Sequence, residues 1–329
     1  MDLLFLNQDE VAALLDMKDT LTAVEDSFRE KGLGRVQMPP KLYLYYARHN
    51  GDLRVMPCYM EGSEKSGVKV VNVHPENPAS KGLPTVMAVI VLVDPSTGAP
   101  MAIMDGTLIT AIRTGAASGI ATKYLARRDC ETLGLVGAGG QAMRQLEAVA
   151  EVAPIRKVKV YDKCKEKAQR FIREAEGRFN LIFKLADSVE ECVKGSDIIT
   201  TITPSRGTIV DDEWVEEGTH INAIGADAPG KQELDPKTLK RAKIVVDDWE
   251  QACHSGEVNV PLSQGLLRKE DIYGELGEIV CGVKGGRESA REITIFDSTG
   301  LAVQDVATAW IVYERAKAKG MGTWLTLFR

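Results

Sequence analysis

Residues 133–142, Leu-Gly-Leu-Val-Gly-Ala-Gly-Gly-Gln-Ala, form the string that most constrains how this chain can fold. An apolar strand runs into the spacing G-x-G-x-x-A, and a helical period follows. Gly137 permits a tight turn, Gly139 lets the backbone approach a pyrophosphate, and Ala142 keeps the helix close to the strand. The N-terminus of that helix offers free N–H groups to phosphates. The string therefore predicts the first βα turn of a dinucleotide-binding sheet.

An acidic residue follows where such folds contact the ribose of the dinucleotide. The second apolar strand ends at Asp162, and a carboxylate there hydrogen-bonds a ribose 2′-hydroxyl and repels a 2′-phosphate. We therefore expect NAD in preference to NADP, although Lys163 could accept part of a 2′-phosphate. The alternative is a glycine-rich turn that binds no nucleotide, with Asp162 only capping a helix.

Strand-like and helical segments alternate from residue 131 onward. Near-continuous apolar strands separated by helices are typical of a parallel sheet covered on both faces. The pattern predicts a doubly wound α/β domain of the Rossmann type over residues 126–301. The expected strands are Leu133–Val136, Val158–Tyr161, Leu181–Leu185, Ile198–Ile202, Ile221–Ile224, Ile244–Val246 and Ile293–Phe296.

The two ends of the chain have a different pattern. A capping box at Asn7 and a helical period of apolar residues predict one helix that ends at Gly32. Short β-type runs over residues 41–105 predict an antiparallel block, and a helix rich in small residues follows over 108–126. A final helix over 301–319 is expected to pack on this block, because the parallel sheet is already complete.

Composition and charge exclude several classes of protein. The 41 Lys and Arg against 47 Asp and Glu give a net charge of −6, which disfavours binding to nucleic acid. No run approaches the roughly 20 apolar residues that span a bilayer, and the acidic start predicts no signal peptide. Six scattered cysteines and 4 separated histidines indicate reduced thiols and no metal site. We expect a cytoplasmic protein without nucleic-acid or membrane partners.

Four cationic residues before the glycine-rich turn each allow two interpretations. Lys69 shares a strand face with Val71, so it is either a buried amine with a shifted pKa or a solvated residue, and the pattern alone favours the solvated one. Arg113 begins a run of small residues, where it either reaches an anion or lies at the surface. For Lys41 and Arg54 the pattern favours the surface.

Small and hydroxyl residues follow two of the predicted parallel strands, at the edge where open α/β sheets bind ligands. Thr203 follows one strand, and Ile224, Gly225 and Ala226 follow another. These residues either contact the nicotinamide ribose or simply end the strands. Asp227 comes next, as an acid/base group near the nicotinamide or as a loop or helix-capping residue.

Taken together, these strings resemble the ornithine cyclodeaminase/mu-crystallin family. The resemblance runs from about residue 5 to the C-terminus, and within the family it is greatest to the archaeal-type alanine dehydrogenase branch. The strings that carry it are 68–72 with His74-Pro75, 113–116, 137–142, 225–231 and 296–300.

The resemblance implies a homodimer in which each subunit has two domains. Residues 1–125 together with 302–329 would form an α+β domain that binds substrate and carries the dimer contacts. The Rossmann domain, residues 126–301, would be inserted into it and would bind NAD.

The resemblance also implies roles for individual residues. Lys69 would be the active-site lysine and Asp227 the catalytic aspartate, while Lys41 and Arg113 would hold the substrate carboxylate. With the motif residues included, the expected cofactor contacts are Thr85, Arg113, Gly137, Gly139, Gly140, Gln141, Asp162, Lys163, Thr203, Ile224, Gly225, Ala226, Lys231 and Ser298.

The activity implied is reversible oxidative deamination of L-alanine to pyruvate and ammonia through an imine. Ornithine cyclodeaminases carry a glutamate that pairs with the distal ammonium of ornithine, and Arg54 stands in its place here. A cation in the substrate pocket disfavours a second ammonium. The alternatives are ornithine cyclodeaminase, which forms L-proline and ammonia with NAD recycled, a ketimine reductase, or a mu-crystallin-like binding protein. The sequence leaves open the substrate side chain and the physiological direction.

Overall fold

The computed structural model describes residues 2–327, and the chain divides into two compact units. Unit 1 combines Met1–Arg113 with Leu301–Arg329, and unit 2 is Thr114–Gly300. The first division falls inside the helix Thr107–Leu125, whereas the sequence pattern placed the boundary at the end of that helix.

Unit 1 contains an eight-stranded sheet. Its strands are β1 (Asp2–Leu6), β2 (Val36–Gln37), β3 (Leu42–Tyr46), β4 (Gly51–Met60), β5 (Lys65–Val73), β6 (Val86–Val93), β7 (Pro100–Asp105) and β18 (Thr323–Thr326). The order is β18-β1-β7-β6-β5-β4-β2, and β3 also pairs with β4. The predicted antiparallel block from β3 to β7 is confirmed. The strands β1, β2 and β18 were not predicted, because such short segments carry too little alternation to be recognised.

The helices of unit 1 begin where side chains cap them. Asn7 and Glu10 form the predicted capping box, with each side chain accepting from the backbone N–H of the other. The prediction of one long helix is wrong, because the chain turns extended at Leu15 and Asp16 caps a second helix through the N–H of Asp19. The helices are α1 (Gln8–Leu14), α2 (Met17–Gly32), α3 (Asn77–Ser80), α4 (Thr107–Leu125), which enters unit 2, and α12 (Ala302–Lys319).

Helix α12 packs against α2 and against strands β4, β5 and β6 of the sheet. Its apolar residues recur at helical spacing, and Val306, Ala309, Val312 and Ala316 are all buried. The end of the chain therefore covers one face of a sheet that the beginning of the chain forms.

Unit 2 contains an eight-stranded sheet in which every described pairing is parallel. The strands are β8 (Thr132–Val136), β9 (Lys157–Tyr161), β10 (Ile182–Leu185), β11 (Ile198–Thr201), β13 (His220–Ala223), β15 (Lys243–Val246), β16 (Ile272–Glu275) and β17 (Thr294–Asp297), and a separate pair joins β12 (Arg206–Val210) to β14 (Gln232–Leu234). The seven predicted strands are confirmed. The eighth, β16, escaped prediction because its sequence, Ile-Tyr-Gly-Glu, lacks an apolar run.

Helices separate the strands of unit 2. Buried apolar side chains from these strands and helices form two clusters that make up its core. The helices are α5 (Ala142–Val152), α6 (Lys165–Glu176), α7 (Val189–Val193), α8 (Pro236–Arg241), α9 (Trp249–Ser255), α10 (Asn259–Ser263) and α11 (Leu276–Val280). The order β10-β9-β8-β11-β13-β17-β15-β16 reverses direction between β8 and β11. That reversal is the place where doubly wound sheets bind ligands, at the carboxyl ends of the strands.

Across residues 2–327, no helix is long and apolar enough to cross a bilayer.

Candidate active site

Two of the candidate cations of unit 1, Lys69 and Arg54, lie on the face of the sheet that α12 covers. In the register of β4 and β5, Met56 lies opposite Lys69 and Arg54 lies opposite Val71. Directly opposed residues point to the same face of an antiparallel pair, and alternate residues along a strand share that face. Lys69 and Arg54 therefore lie on one buried face, which contradicts the surface positions that the sequence pattern favoured.

Asp305 of α12 joins two of the cations. Its Oδ2 lies 2.6 Å from the Lys69 Nζ, and its Oδ1 accepts a hydrogen bond of 2.8 Å from the Arg113 Nε. The Oε1 of Gln304 accepts a further bond of 3.0 Å from the Arg113 Nη1. Lys69 is 1% exposed and Asp305 is 0% exposed, so water does not screen this contact. The result is a buried triad of two cations and one carboxylate.

The surroundings of Lys69 change its acidity. Burial lowers the pKa of its amine most, the charges of Arg113 and Lys41 lower it further, and Asp305 partly restores it, so the pKa falls from 10.5 to about 7. A solvated lysine would stay protonated at neutral pH, whereas this amine exists in both protonation states there. Lys69 can therefore accept or donate a proton under physiological conditions.

Arg54 is paired as well as buried. Its Nε and Nη2 donate to the two carboxylate oxygens of Asp52 at 3.1 Å and 3.0 Å, and its guanidinium lies 5.3 Å from the centre of the Tyr43 ring. The Asp52 carboxylate offsets the charge of Arg54, so repulsion of a second ammonium is weaker than the sequence argument assumed.

Two further predicted residues of unit 1 are less enclosed. Lys41 is half-buried, close enough for its charge to act on Lys69. Thr85 is half-buried just before β6, and its carbonyl accepts a hydrogen bond from the His74 N–H.

In unit 2 the glycine-rich turn has the geometry that its sequence requires. Gly137 has a φ of +109°, and a Cβ there would lie 2.7 Å from the carbonyl oxygen of Ile202. A larger residue is therefore excluded at the turn. Gly139 and Gly140 are exposed, and no atom lies within 4 Å of where their Cβ atoms would be. The turn leaves open space above these two residues for a ligand.

The predicted ribose-binding residue is fixed by the same turn. The Asp162 Oδ2 accepts from the Ala138 N–H at 2.8 Å, and its Oδ1 accepts from the Cys164 N–H at 2.9 Å. Lys163 is exposed beside it. Gln141 precedes α5, and its side-chain Oε1 is buried without a hydrogen-bond partner.

The other predicted cofactor residues of unit 2 lie at the carboxyl ends of neighbouring strands. Thr203 follows β11, Ile224, Gly225 and Ala226 follow β13, and Ser298 follows β17. These three strands are adjacent in the sheet. The Ser298 side chain is 3% exposed and its Oγ has no hydrogen-bond partner. A buried hydroxyl without a partner is costly, and a bound ligand could satisfy it.

Asp227 and Lys231 form an ion pair in the loop between β13 and β14. The Asp227 side chain is 35% exposed, so its carboxylate stays accessible to a small molecule. The structure places it one residue beyond the buried segment Ile224–Ala226.

Sequence reasoning missed Asp305 and Gln304, although a signal was present. Asp305 lies at helical spacing on the same face as the buried apolar residues Ala302, Ala309, Val312 and Ala316. A carboxylate on an apolar helix face indicates a buried cationic partner. The sequence could not show which cation, because Lys69 and Arg113 are far from Asp305 along the chain.

Within the described part of the chain, no group of three or more His, Cys, Asp or Glu residues could hold a metal ion.

Comparisons of the sequence and of the structure with known proteins point to the same family. The family model described as the ornithine cyclodeaminase/mu-crystallin family matches residues 1–320. The alanine dehydrogenase of Archaeoglobus fulgidus is 52% identical over 330 residues, which cover 100% of both chains. The structure of an archaeal alanine dehydrogenase dimer with bound NAD has a TM-score of 0.96 at 52% identity and covers 100% of both chains. The Thermococcus litoralis Δ1-pyrroline-2-carboxylate reductase, in complex with NADH and L-proline, has a TM-score of 0.95 at 44% identity over 98% of this chain and 99% of its own.

We predict that Asp305→Asn destabilises the protein by about 3–5 kcal/mol, because it leaves the Arg113 guanidinium buried without a counter-charge and forces the Lys69 amine to lose its proton. Denaturant unfolding at neutral pH measures the effect. Asp187→Asn is the matched control: Asp187 pairs with Lys165 at 2.9 Å, but its side chain is 78% exposed, and its loss should cost less than about 1 kcal/mol. Equal costs for the two variants would contradict the prediction.

Proposed function

This chain belongs to the ornithine cyclodeaminase/mu-crystallin family, and we propose that within it the protein is an NAD-dependent alanine dehydrogenase. The reaction converts L-alanine, water and NAD⁺ into pyruvate, ammonium, NADH and a proton, and it is reversible. Similarity over the whole chain to an alanine dehydrogenase supports this choice of substrate.

The observation that carries the proposal is the buried amine of Lys69. Oxidation of an amino acid requires the removal of protons from its ammonium group and from the water that attacks the imine. An amine whose pKa is about 7 is suited to that exchange at neutral pH. Arg113 and Lys41 act on the same amine, and cations are the groups that bind a substrate carboxylate.

Unit 2 fits NAD by three observations. The open space above Gly139 and Gly140 accommodates a pyrophosphate, the Asp162 carboxylate is fixed where a ribose 2′-hydroxyl would donate to it, and the Ser298 Oγ lacks a partner. When bound, NAD accepts a hydride from the substrate Cα.

In the proposed mechanism the residues of this chain bind the substrate and move protons. Arg113 and Lys41 hold the substrate carboxylate, which fixes the direction in which Cα points. Lys69 takes a proton from the substrate ammonium and releases it to solvent, which gives the proton of the overall reaction. The neutral amine then takes a proton from the water that attacks the imine and returns it to the leaving nitrogen, which departs as ammonium. In unit 2, Asp227 is the proposed acid/base group beside the nicotinamide. Asp305 keeps Lys69 and Arg113 in place through the contacts of its two carboxylate oxygens.

Reduction of Δ1-pyrroline-2-carboxylate is a second candidate, because a reductase of that substrate is 44% identical to this chain over nearly its full length. Both reactions interconvert an amine and an imine beside a carboxylate. They differ in whether the nitrogen belongs to a five-membered ring. Oxidation of proline therefore indicates the reductase, and oxidation of alanine indicates the dehydrogenase.

The uncovered face of the unit 1 sheet supports a homodimer. On the face opposite Lys69, the register aligns one apolar row across β4, β5, β6, β7 and β1: Pro57, Val68, Val91, Ile103 and Phe5. A second row contains Val55, Val70 and Val89 and ends at Asp105, whose carboxylate accepts from the N–H groups of Thr107 and Leu108 at the start of α4. An extended apolar surface of this kind is typical of a subunit interface. The archaeal relative with bound NAD was solved as a dimer.

We also propose that the enzyme works in the cytoplasm. All six cysteines, which lie within the described residues, are free thiols. Free thiols persist in the reducing cytoplasm.

We predict that the wild-type protein forms NADH from L-alanine and NAD⁺, and that Lys69→Met abolishes turnover while NADH still binds. The near-ultraviolet absorbance of NADH measures turnover, and its fluorescence measures binding. Lys65→Met, on the same strand, is the control and should keep most of the activity. Turnover by Lys69→Met would remove Lys69 from its role, and NADH formation from proline but not alanine would favour the second candidate.

We predict that kcat/KM for alanine oxidation rises as the pH passes through about 7, because Lys69 must be neutral to accept a proton. Since Asp305 raises the pKa of Lys69, Asp305→Asn should move this rise to lower pH. Initial rates across the neutral range at constant ionic strength measure the profile. A profile that is flat there for the wild-type enzyme would contradict the assignment.

We predict a lower KM for NADH than for NADPH. The Asp162 carboxylate accepts a ribose hydroxyl and repels a 2′-phosphate. Asp162→Ser should raise the KM for NADH and lower that for NADPH. Asp187→Ser, an exposed aspartate elsewhere in unit 2, is the control and should change neither value. Tighter NADPH use by the unmodified enzyme would overturn this role of Asp162.

We predict that Val89→Asp converts the dimer to a monomer, because a charge on the apolar row would be desolvated by the partner. Size-exclusion chromatography with light scattering measures the mass. Ile182→Asp is the control, because Ile182 is an apolar strand residue that is 67% exposed in unit 2, and this variant should stay dimeric. A monomeric wild-type protein, or a dimeric Val89→Asp, would refute this interface.

A further inference from the structure

Glu233 of β14 is a fully buried carboxylate outside the proposed proton-transfer groups. It is 0% exposed. Its Oε1 accepts from the Thr203 N–H and from the Thr203 Oγ1, both at 2.7 Å, and its Oε2 accepts from the Gly225 N–H at 2.9 Å. One side chain therefore connects the loop after β11 to the loop after β13.

The two loops that Glu233 connects approach each other closely. Strands β11 and β13 are neighbours, so their carboxyl ends lie side by side. A Cβ on Gly225 would lie 2.2 Å from the Thr203 carbonyl oxygen and 2.5 Å from the Glu233 Oε2. The two loops leave no room for a side chain at position 225, and each oxygen of Glu233 accepts hydrogen bonds from one of them.

A second and a third buried carboxylate fix Glu233 in turn. Glu257 accepts from the N–H groups of Glu233 and Leu234, and Asp297 accepts from the N–H groups of Glu257 and Val258. Glu257 and Asp297 are both 0% exposed. Asp297 is the last residue of β17. The series of contacts therefore runs from the end of β17 through Glu257 and Glu233 to the ends of β11 and β13.

These carboxylates are costly for the fold. Burial raises the pKa of Glu233, although the donors from Thr203 and Gly225 oppose that rise. Burial and the neighbouring charge of Glu233 raise the pKa of Glu257 well above its ordinary value. Apolar residues in place of buried charged groups are often neutral or stabilising for a fold. We therefore infer that these carboxylates are present because they fix the positions of the loops.

We propose that Glu233 is the positioning residue that sets the spacing of the Thr203 and Gly225 loops for the nicotinamide-ribose half of the dinucleotide. This inference rests on the proposed function, because it assumes that unit 2 binds NAD. Glu233 acts through the two loops and need not touch the cofactor itself.

Glu233→Gln tests the proposal, because an amide has only one oxygen. The variant must turn its NH₂ group towards either Thr203 or Gly225, where an N–H donor already points, and one loop loses its acceptor. We expect the affinity for NADH to fall about tenfold or more, by titration of NADH fluorescence without substrate. Hydrogen exchange should rise in the two loops and not across the rest of unit 2.

Asp197→Asn is the matched control. Asp197 lies at the amino end of β11, at the opposite edge of the same sheet, and its Oδ2 accepts from the Glu131 and Thr132 N–H groups, both at 2.9 Å, so one amide oxygen can keep both backbone contacts. We expect NADH binding within about twofold of wild type. A merely structural role for Glu233 would lower the melting temperature of Glu233→Gln and leave its NADH affinity equal to that of the control.

The outcomes separate the inference from the function on which it rests. Failure of the wild-type protein to bind NADH would refute the proposed function. A wild-type protein that binds NADH, with Glu233→Gln binding equally well, would overturn the role of Glu233 alone. If Glu233→Gln does not fold, Glu233→Asp replaces it, since both oxygens remain but move by one methylene. A folded Glu233→Asp with unchanged affinity would then overturn the proposal.

Discussion

The contact of Asp305 with Lys69 and Arg113 is the interaction on which unit 1 depends. It joins a strand in the first quarter of the chain to a helix near its end, and Arg113 and Asp305 are 192 residues apart. Each cation alone would be costly in the apolar space between sheet and helix. One carboxylate makes both tolerable while leaving the Lys69 amine with a pKa of about 7. The stability of this contact and the proposed acid/base chemistry therefore depend on the same three side chains.

Unit 2 uses buried carboxylates for a different purpose. Glu233, Glu257 and Asp297 accept mainly from backbone N–H groups at the carboxyl ends of parallel strands. An α/β sheet leaves irregular loops at that edge, and such loops have backbone donors that helices and strands do not satisfy. A carboxylate with two oxygens can hold two such loops at once. The loops that carry the predicted cofactor contacts are thereby ordered by side chains that lie behind them.

The sequence predicted unit 2 well because its signals are local. A strand, the turn at Gly137 and the helix after it occupy one continuous segment, and all seven strands expected there are present. In unit 1 the pattern misjudged Lys69, because alternation along β5 shows which residues share a face but not whether a helix covers that face. It also took α1 and α2 as one helix, since a helical period continues across the break at Leu15.

By itself, the sequence determined the parallel sheet and the dinucleotide turn, and it marked Lys69, Arg113, Asp162 and Asp227 as candidates for binding and chemistry. Only the tertiary structure decided that Lys69 is buried against Asp305, that Arg54 is neutralised by Asp52, and that Glu233 connects two strand ends. The physical reason is that the pKa and the pairing of a charged group depend on burial and on neighbours that are distant in the chain. A periodic pattern records which side of a strand a residue takes, whereas the partner on that side is fixed only when the sheet and the last long helix pack together.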